Sequence, residues 1–314
     1  MSGGIPHDLG PAFRVGAARK LGVSEAALRA PDLLRPFHGV RAKEREPPAQ
    51  WRGGLLGIHE ARHIGRALDF ATQMGAHEFF THATAAVLLG LPLPPRLVRD
   101  DEVHVGVLAP RRPPRGRGVA GHQAVPDLTS VVLHRDTGLH LTSPATTWAM
   151  LAASLRHPYD VVAVGDAVLR DWRLEPLASI AEMSRAVDAG RRVGVARLRE
   201  ALPRLRARSG SRPETWLRLT IIDAGLPQPD LNVDVFVAGE YVACVDLAYP
   251  ERRIAFEYEG EHHLRDPRQW ASDIERYERL AAAGWLVIRA TKQDVFEQHG
   301  RFIARARRAL ASRW

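Results

Sequence analysis

Three carboxylates and two histidines occupy the seven residues Glu257–His263, "EYEGEHH", in a chain whose net charge is +8. The residues before them, "RRIAFEYEG", are typical of an apolar β-strand. Glu257 and Glu259 are two residues apart, so both side chains leave such a strand on the same face. Negative charge collected at a strand end indicates that a cation is expected there.

A further carboxylate, Asp246, lies in the preceding run "YVACVDLAY". If "LAYPERR" turns the chain back, Asp246 comes alongside Glu257 and Glu259. Three carboxylates at such short range repel one another and raise the pKa of at least one. A hard divalent cation removes that penalty, so the sequence predicts an Mg²⁺ site, with Mn²⁺ as the other possible ion.

Other interpretations of this segment stay open. Its alternating glutamates could line an exposed edge strand and pair with Arg252, Arg253 or Arg265, which would stabilise the fold only weakly. His262–His263 could be an ordinary turn. A zinc site is not predicted, because the only thiol, Cys244, lies inside a strand.

The elements of residues 209–314 follow in a clear order. "SRPETWLRLTIIDAGL" indicates a helix, "NVDVFV", "YVACVDLAY" and "RRIAFEYEG" three strands, "RQWASDIERYERLAAAG" a helix, "WLVIRA" a fourth strand, and the residues after it a last helix. The first three strands are close enough to form an antiparallel meander, and the fourth follows a helical crossover and can be parallel. The sequence thus predicts a mixed sheet flanked by helices.

This region resembles the PD-(D/E)xK nuclease superfamily and, more narrowly, the endonuclease domains similar to very-short-patch-repair enzymes. The resemblance covers about residues 211–314 and rests on Asp246, on Glu257-x-Glu259-Gly260 with the histidines after it, and on "DIERYERLAAAGWLVIRAT". It implies a restriction-endonuclease-like αβββαβ(α) fold with Asp246 and Glu257 as metal ligands. Glu259 stands where most members carry a lysine that orients water, so we interpret it as a third ligand or as the base.

Three further residue sets complete the expected site. His263, or else His262, could assist proton transfer. Arg289 and Lys292, beside the fourth strand, could supply the missing positive charge. The family often carries a glutamate near the metal on its first helix, and Glu214 fits that position. Glu214 also forms an S-x-x-E capping box with Ser211, and both roles stay open.

The N-terminal residues 1–50 read as two short helices with a turn at Gly22, Ser24 as an N-cap and a ribbon in "LLRPFHGVR". This pattern indicates a winged helix-turn-helix that binds DNA, or else a helical hairpin that only packs.

Residues 51–208 indicate a mixed helix and strand domain, with residues 55–100 largely helical and short strands after them. The loop "PRRPPRGRG" carries four arginines, either as a solvated loop or as a phosphate contact, and "RARSGSRP" indicates the next boundary.

The N-terminal two thirds resemble antitoxins of the AbiEi type. The resemblance rests on "AARKLGVS", "THATAAVLLGLPLP", "GLHLTSPATTWAML" and "VVAVGDAVLR". It implies DNA binding by the winged helix and contact with a partner toxin; a homodimer is neither indicated nor excluded.

Composition agrees with a folded protein that has an anionic partner. Hydrophobic residues make up 45% of the chain, and 44 lysines and arginines face 36 acids. All but three of those cations are arginines, so a GC-rich genome is another source of the charge. A single cysteine, no signal-peptide pattern and no apolar run of membrane length predict a cytoplasmic protein.

Together these features predict a metal-dependent DNA endonuclease with an N-terminal DNA-binding region. The alternative is a transcriptional regulator or antitoxin whose nuclease-like domain has lost its chemistry.

Overall fold

The structure is a computed structural model that describes residues 5–44, 50–51, 54–55, 57–99, 101–260 and 267–313. The fold is α+β with several sheets, two of them mixed. The chain divides into two compact units, residues 1–156 with 178–199, and residues 157–177 with 200–314. The boundary expected near residue 208 therefore lies inside the second unit. Among the described residues, no helix is both long and apolar enough to cross a membrane.

The first unit begins with a small antiparallel sheet in the order β1-β3-β2 and two short helices. The Ser24 hydroxyl accepts a hydrogen bond from the Ala27 N–H at 3.2 Å, as an N-cap does. The apolar contacts that hold these elements come from Phe13, Ala18 and Leu28. The elements are β1 (Ala12–Arg14), α1 (Val15–Lys20), α2 (Glu25–Leu28), β2 (Leu33–Leu34) and β3 (Val40–Lys43).

The rest of the first unit contains a five-stranded mixed sheet in the order β8-β7-β6-β10-β9, a two-stranded sheet of β4 and β5, and several helices. The predicted strands between residues 102 and 142 are all present, but the central strand β6 lies in the region expected to be helical. The elements from residue 50 to residue 201, with α7 belonging to the second unit, are β4 (Gln50–Trp51), β5 (Gly54–Leu55), α3 (Ile58–Ala71), β6 (Glu78–Phe80), α4 (His82–Leu88), α5 (Pro95–Val98), β7 (Val103–Leu108), β8 (Val119–Ala124), β9 (Val131–Leu133), β10 (His140–Thr142), α6 (Pro144–Leu151), α7 (Pro158–Leu169), α8 (Ile180–Asp188) and α9 (Val195–Ala201).

The second unit contains a four-stranded mixed sheet in the order β11-β12-β13-β14. As the sequence predicts, the first three strands form an antiparallel meander and β14 runs parallel to β13. The expected last helix is two helices, because Thr291 caps a short one that ends before His299. The elements are α10 (Arg212–Asp223), β11 (Asp230–Val237), β12 (Glu240–Tyr249), β13 (Ile254–Glu259), α11 (Pro267–Ala282), β14 (Leu286–Thr291), α12 (Lys292–Phe296) and α13 (His299–Ala311).

Two apolar clusters cover the two faces of β13. Phe256 belongs to a cluster that includes Trp216 of α10 and Phe302 of α13, whereas its neighbour Ala255 packs in a cluster with Leu280 of α11. Because successive strand residues point to opposite faces, α11 and the pair α10 and α13 cover different faces. Glu257 and Glu259, which alternate with Phe256, therefore point toward α11.

Candidate functional site

The predicted acids lie where β12 and β13 stop pairing. These strands share three registered pairs, the last of which joins Leu247 to Phe256. The next residues of the two strands are Asp246 and Glu257. Instead of a further strand pair, the Asp246 carboxylate Oδ2 accepts a hydrogen bond from the Tyr258 backbone N–H at 2.9 Å. A carboxylate thus occupies the point at which the two strands separate.

Glu214 of α10 reaches the same region from a buried position, with 8% of its surface exposed. Its Oε2 accepts hydrogen bonds from the Gly210 N–H at 2.7 Å and from the Asn232 side-chain amide at 2.9 Å. Half of the predicted capping box is present, because the Ser211 hydroxyl accepts from the Glu214 N–H at 3.4 Å. The carboxylate, however, contacts Gly210, the residue before Ser211. A Cβ at Gly210 would lie 2.9 Å from Glu214 Oε1, so a larger residue there would shift this carboxylate.

Glu257 is the most deeply buried of the predicted ligands, with 4% exposure. It forms an ion pair with Arg276 of α11, whose second guanidinium nitrogen also donates to Glu257 Oε1 at 3.3 Å. The interpretation as an exposed edge strand is wrong for Glu257, because β13 is an inner strand between β12 and β14. The nearby arginines offered as partners, Arg252 and Arg253, donate instead to backbone carbonyls of other elements.

Glu259 is held by two side chains that leave part of it exposed. Its Oε1 accepts hydrogen bonds from the Tyr277 hydroxyl at 2.8 Å and from Arg289 Nε at 2.5 Å. The Tyr277 hydroxyl in turn accepts from Arg276 at 3.2 Å, which links Glu259 to the arginine that holds Glu257. Arg289 thus places positive charge near the site, as the sequence predicts, and this charge contacts Glu259 directly.

The electrostatics of Glu214 and Glu257 show how the acids influence one another. Burial and then the charge of Asp246 raise the pKa of Glu214 to about 7. The same two causes, opposed by Arg276, raise the pKa of Glu257 to about 7. Asp246 therefore lies within electrostatic range of both, and each deprotonation makes the next less favourable.

The acids do not form a closed set of three ligands. Within the part of the chain that the structure describes, one group of three potential ligand residues has its ligand atoms within 4.8 Å of one another, and that group is His82, His104 and His122. Asp246, Glu257 and Glu259 are not such a group. The predicted roles of His262 and His263 lie outside the described residues.

The first unit carries a basic groove of about 1660 Å³. Six of its lining residues are exposed cations, and three of its lining residues are acids, Glu78, Asp101 and Glu102. Two of the cations come from the predicted loop "PRRPPRGRG", which therefore borders the groove. The six exposed cations are Arg14, Arg19, Lys20, Arg35, Arg115 and Arg117.

Sequence comparison places the chain among mycobacterial relatives. It is 33% identical over 260 residues to the "Uncharacterized protein MT2308" and to the "Uncharacterized protein Rv2248" of two strains of Mycobacterium tuberculosis. The match covers 82% of this chain and 90% of each relative. The chain therefore belongs to the family of these two mycobacterial proteins. No protein-family model and no solved structure matches it.

Proposed function

We propose that the protein is a metal-dependent phosphodiesterase that cleaves DNA. The observation that carries the proposal is the pair of buried glutamates, Glu214 and Glu257, whose pKa values burial and Asp246 raise to about 7. Carboxylates perturbed by burial together with a specific charged neighbour are concentrated at functional sites. Their location, where β12 and β13 separate, agrees with a restriction-endonuclease-like fold for the second unit.

The donor set of this cluster suits a hard divalent cation. Asp246 and Glu257 would hold it, with Glu214 close enough to add negative charge. Carboxylate oxygens are the ligands that Mg²⁺ and Mn²⁺ prefer, and a cation would relieve the repulsion that raises both pKa values. Such an ion, when bound, supplies Lewis acidity and a more acidic water.

In the proposed reaction, Glu259 accepts a proton from the attacking water, since Tyr277 and Arg289 fix its carboxylate while leaving it partly exposed. The water oxygen forms a new bond to phosphorus and the bond from phosphorus to O3′ breaks. A proton from solvent then neutralises O3′ and Glu259 returns its proton to solvent, which leaves a 3′-hydroxyl and a 5′-phosphate.

DNA is the proposed substrate because of the first unit. Its two short N-terminal helices, followed by strands β2 and β3 that form a three-stranded sheet with β1, support a winged helix-turn-helix. The basic groove collects six exposed cations, which suits the phosphate backbone of a nucleic acid.

A second candidate, a transcriptional regulator or antitoxin with an inactive nuclease-like domain, is favoured by one observation. Arg276 already pairs with Glu257, and Arg289 pairs with Glu259. The chain itself thus supplies the positive charge that a metal would otherwise bring.

Metal-dependent unfolding and DNA cleavage separate the two candidates. Tag-free protein freed of metal with a chelator is melted with and without Mg²⁺ or Mn²⁺ and incubated with supercoiled plasmid. An active nuclease gains melting temperature and nicks the plasmid, and both effects disappear in Asp246→Ala and Glu257→Ala. Glu278→Ala, which changes an exposed glutamate of α11, serves as the matched control. Plasmid binding without a metal effect or a nick would favour the regulator.

A further inference from the structure

Three histidines of the first unit converge from neighbouring elements of its five-stranded sheet. His104 lies on β7, His122 on β8, and His82 is the first residue of α4, directly after β6. The order β8-β7-β6 places these elements side by side. Each histidine offers a ring nitrogen, and the three nitrogens lie within 4.8 Å of one another.

The three rings form one stack. His82 lies 4.1 Å from His122 between ring centroids, and His104 lies 5.1 Å from His122. His104 Nδ1 and His122 Nε2 are 2.9 Å apart, at hydrogen-bonding distance. A metal ion that replaced the proton of this hydrogen bond would accept one lone pair from each of the two rings.

His82 is held in a conformation that costs backbone energy. Its φ is +48°, a left-handed value that residues other than glycine rarely adopt. Such strain persists where the surrounding structure requires it, frequently at functional positions. Here it directs the first side chain of α4 toward the two strand histidines.

A second contact lies beside His82. The Thr81 hydroxyl is 3.1 Å from the Met150 sulfur and 3.2 Å from His82 Nδ1. In the tautomer with the proton on Nδ1, this hydroxyl accepts from the ring and donates to the sulfur. Nε2 then carries the lone pair, which is how ligand histidines are commonly oriented by their outer contacts.

All three histidines are half-buried, so one side of the cluster faces solvent.

We infer that His82, His104 and His122 form a binding site for a divalent transition metal, of which Zn²⁺ is the expected ion. Imidazole nitrogens suit Zn²⁺, Co²⁺ and Ni²⁺ and do not suit Mg²⁺. Tetrahedral zinc with nitrogen ligands at 2.0–2.1 Å needs nitrogens about 3.3 Å apart with their lone pairs aimed at one ion. The stacked rings therefore have to turn about their side-chain bonds when the ion binds. Three protein ligands and a solvent-facing side describe an open site, with a fourth position for water or for an anionic ligand.

The test is a titration of tag-free, chelator-treated protein with Zn²⁺ by calorimetry and with Co²⁺ by visible absorption. With excess Mg²⁺ present to occupy the carboxylates proposed as a metal site in the second unit, we expect one Zn²⁺ or Co²⁺ per chain. Its affinity should fall at least about 100-fold in His104→Gln and His122→Gln, more than an outer contact contributes. Thr81→Val should weaken binding about 10-fold. His38→Gln, an exposed histidine of the same unit, and Glu257→Ala, in the separate acidic cluster, should bind as the original protein does. Excess Mg²⁺ should not compete.

Two results would overturn the inference. One is Zn²⁺ binding that is absent in the original protein, or that is unchanged in both histidine variants when circular dichroism shows them folded. The other is independent of any variant: X-ray absorption of the zinc complex of the original protein should count three imidazole ligands, and fewer than three would exclude this site.

Discussion

The Asp246 carboxylate accepts a hydrogen bond from the Tyr258 backbone N–H at 2.9 Å, across the gap between β12 and β13. This bond ties an acid of one strand to the backbone between Glu257 and Glu259 of the other. It keeps Asp246 beside β13 although the strands have stopped pairing. Asp246 is then the charge that couples the protonation of Glu214 to that of Glu257.

The first prediction concerns pH. Because the pKa of Glu214 is raised to about 7 from 4.5, the folded protein retains a proton that the unfolded chain releases. The contribution of Glu214 to the free energy of unfolding is therefore present below pH 4.5 and is lost as pH rises toward 7. Between pH 5 and pH 8, the free energy of unfolding should fall by about 2 kcal/mol less in Glu214→Gln than in the original protein, as measured by urea unfolding. Glu278→Gln should leave the pH dependence unchanged; an equal change there would contradict the assignment to Glu214.

The second prediction concerns the ion pair between Arg276 and Glu257. Arg276→Ala leaves a buried carboxylate without its cation and should lower the free energy of unfolding by about 2–4 kcal/mol at pH 8. If Glu257 is a metal ligand, millimolar Mg²⁺ should raise the melting temperature of this variant more than that of the original protein. Arg279→Ala, which changes an exposed arginine of the same helix, is the control. If Mg²⁺ raised the melting temperatures of Arg276→Ala and Arg279→Ala by the same amount, Arg276 and a metal would not compete for Glu257.

The sequence predicts the four-stranded sheet of residues 209–314 because each of its elements carries its own signal. It does not predict that residues 157–177 belong to the same unit or that the last helix is divided in two. The strands are apolar runs, Gly284 ends α11 with a φ of +78°, and Ser211 caps α10. The partner of Glu257 could not be predicted in this way. Which residue of α11 faces Glu257 depends on the rotation of that helix over the sheet, which packing determines.

The first unit shows where local signals fail. Strand β6 has three residues, too few to display an alternating pattern, and is held by neighbours on both sides, β7 and β10. Strand β6 brings His82 beside His104 and His122. Because the sequence does not predict β6, it does not predict the histidine cluster. The single thiol gave no indication of a zinc site. The three histidines gave none either, because His104 lies 22 residues after His82 and 18 residues before His122, which matches no short metal-binding motif.

The third prediction concerns the most buried ion pair of the described residues, Asp166 of α7 with Arg218 of α10. Each side chain is 1% exposed, and the carboxylate also accepts hydrogen bonds from Thr215 and from the Arg206 N–H. Arg218→Leu should lower the free energy of unfolding by about 3–5 kcal/mol at pH 7, because it leaves Asp166 charged and buried. The cost should be smaller near pH 4, since burial raises the pKa of Asp166 and protonation then removes the charge. Asp166→Leu with Arg218→Leu should recover part of the loss, and a double variant as unstable as the sum of the singles would contradict the pairing.

The last prediction concerns the basic groove. If the groove holds a DNA backbone, each cation that contacts a phosphate releases a counterion on binding, and the logarithm of affinity falls with the logarithm of salt concentration. Arg14→Ala and Arg117→Ala, from two different segments of the lining, should each reduce the magnitude of that slope by about 1 and weaken binding to duplexes of different sequence alike. Arg185→Ala removes an exposed cation from α8, outside the groove lining, and should leave the slope unchanged. Fluorescence anisotropy over a series of salt concentrations measures all three variants. Because removing any arginine lowers the net charge equally, a slope that fell as much in Arg185→Ala would assign the binding to overall charge rather than to the groove.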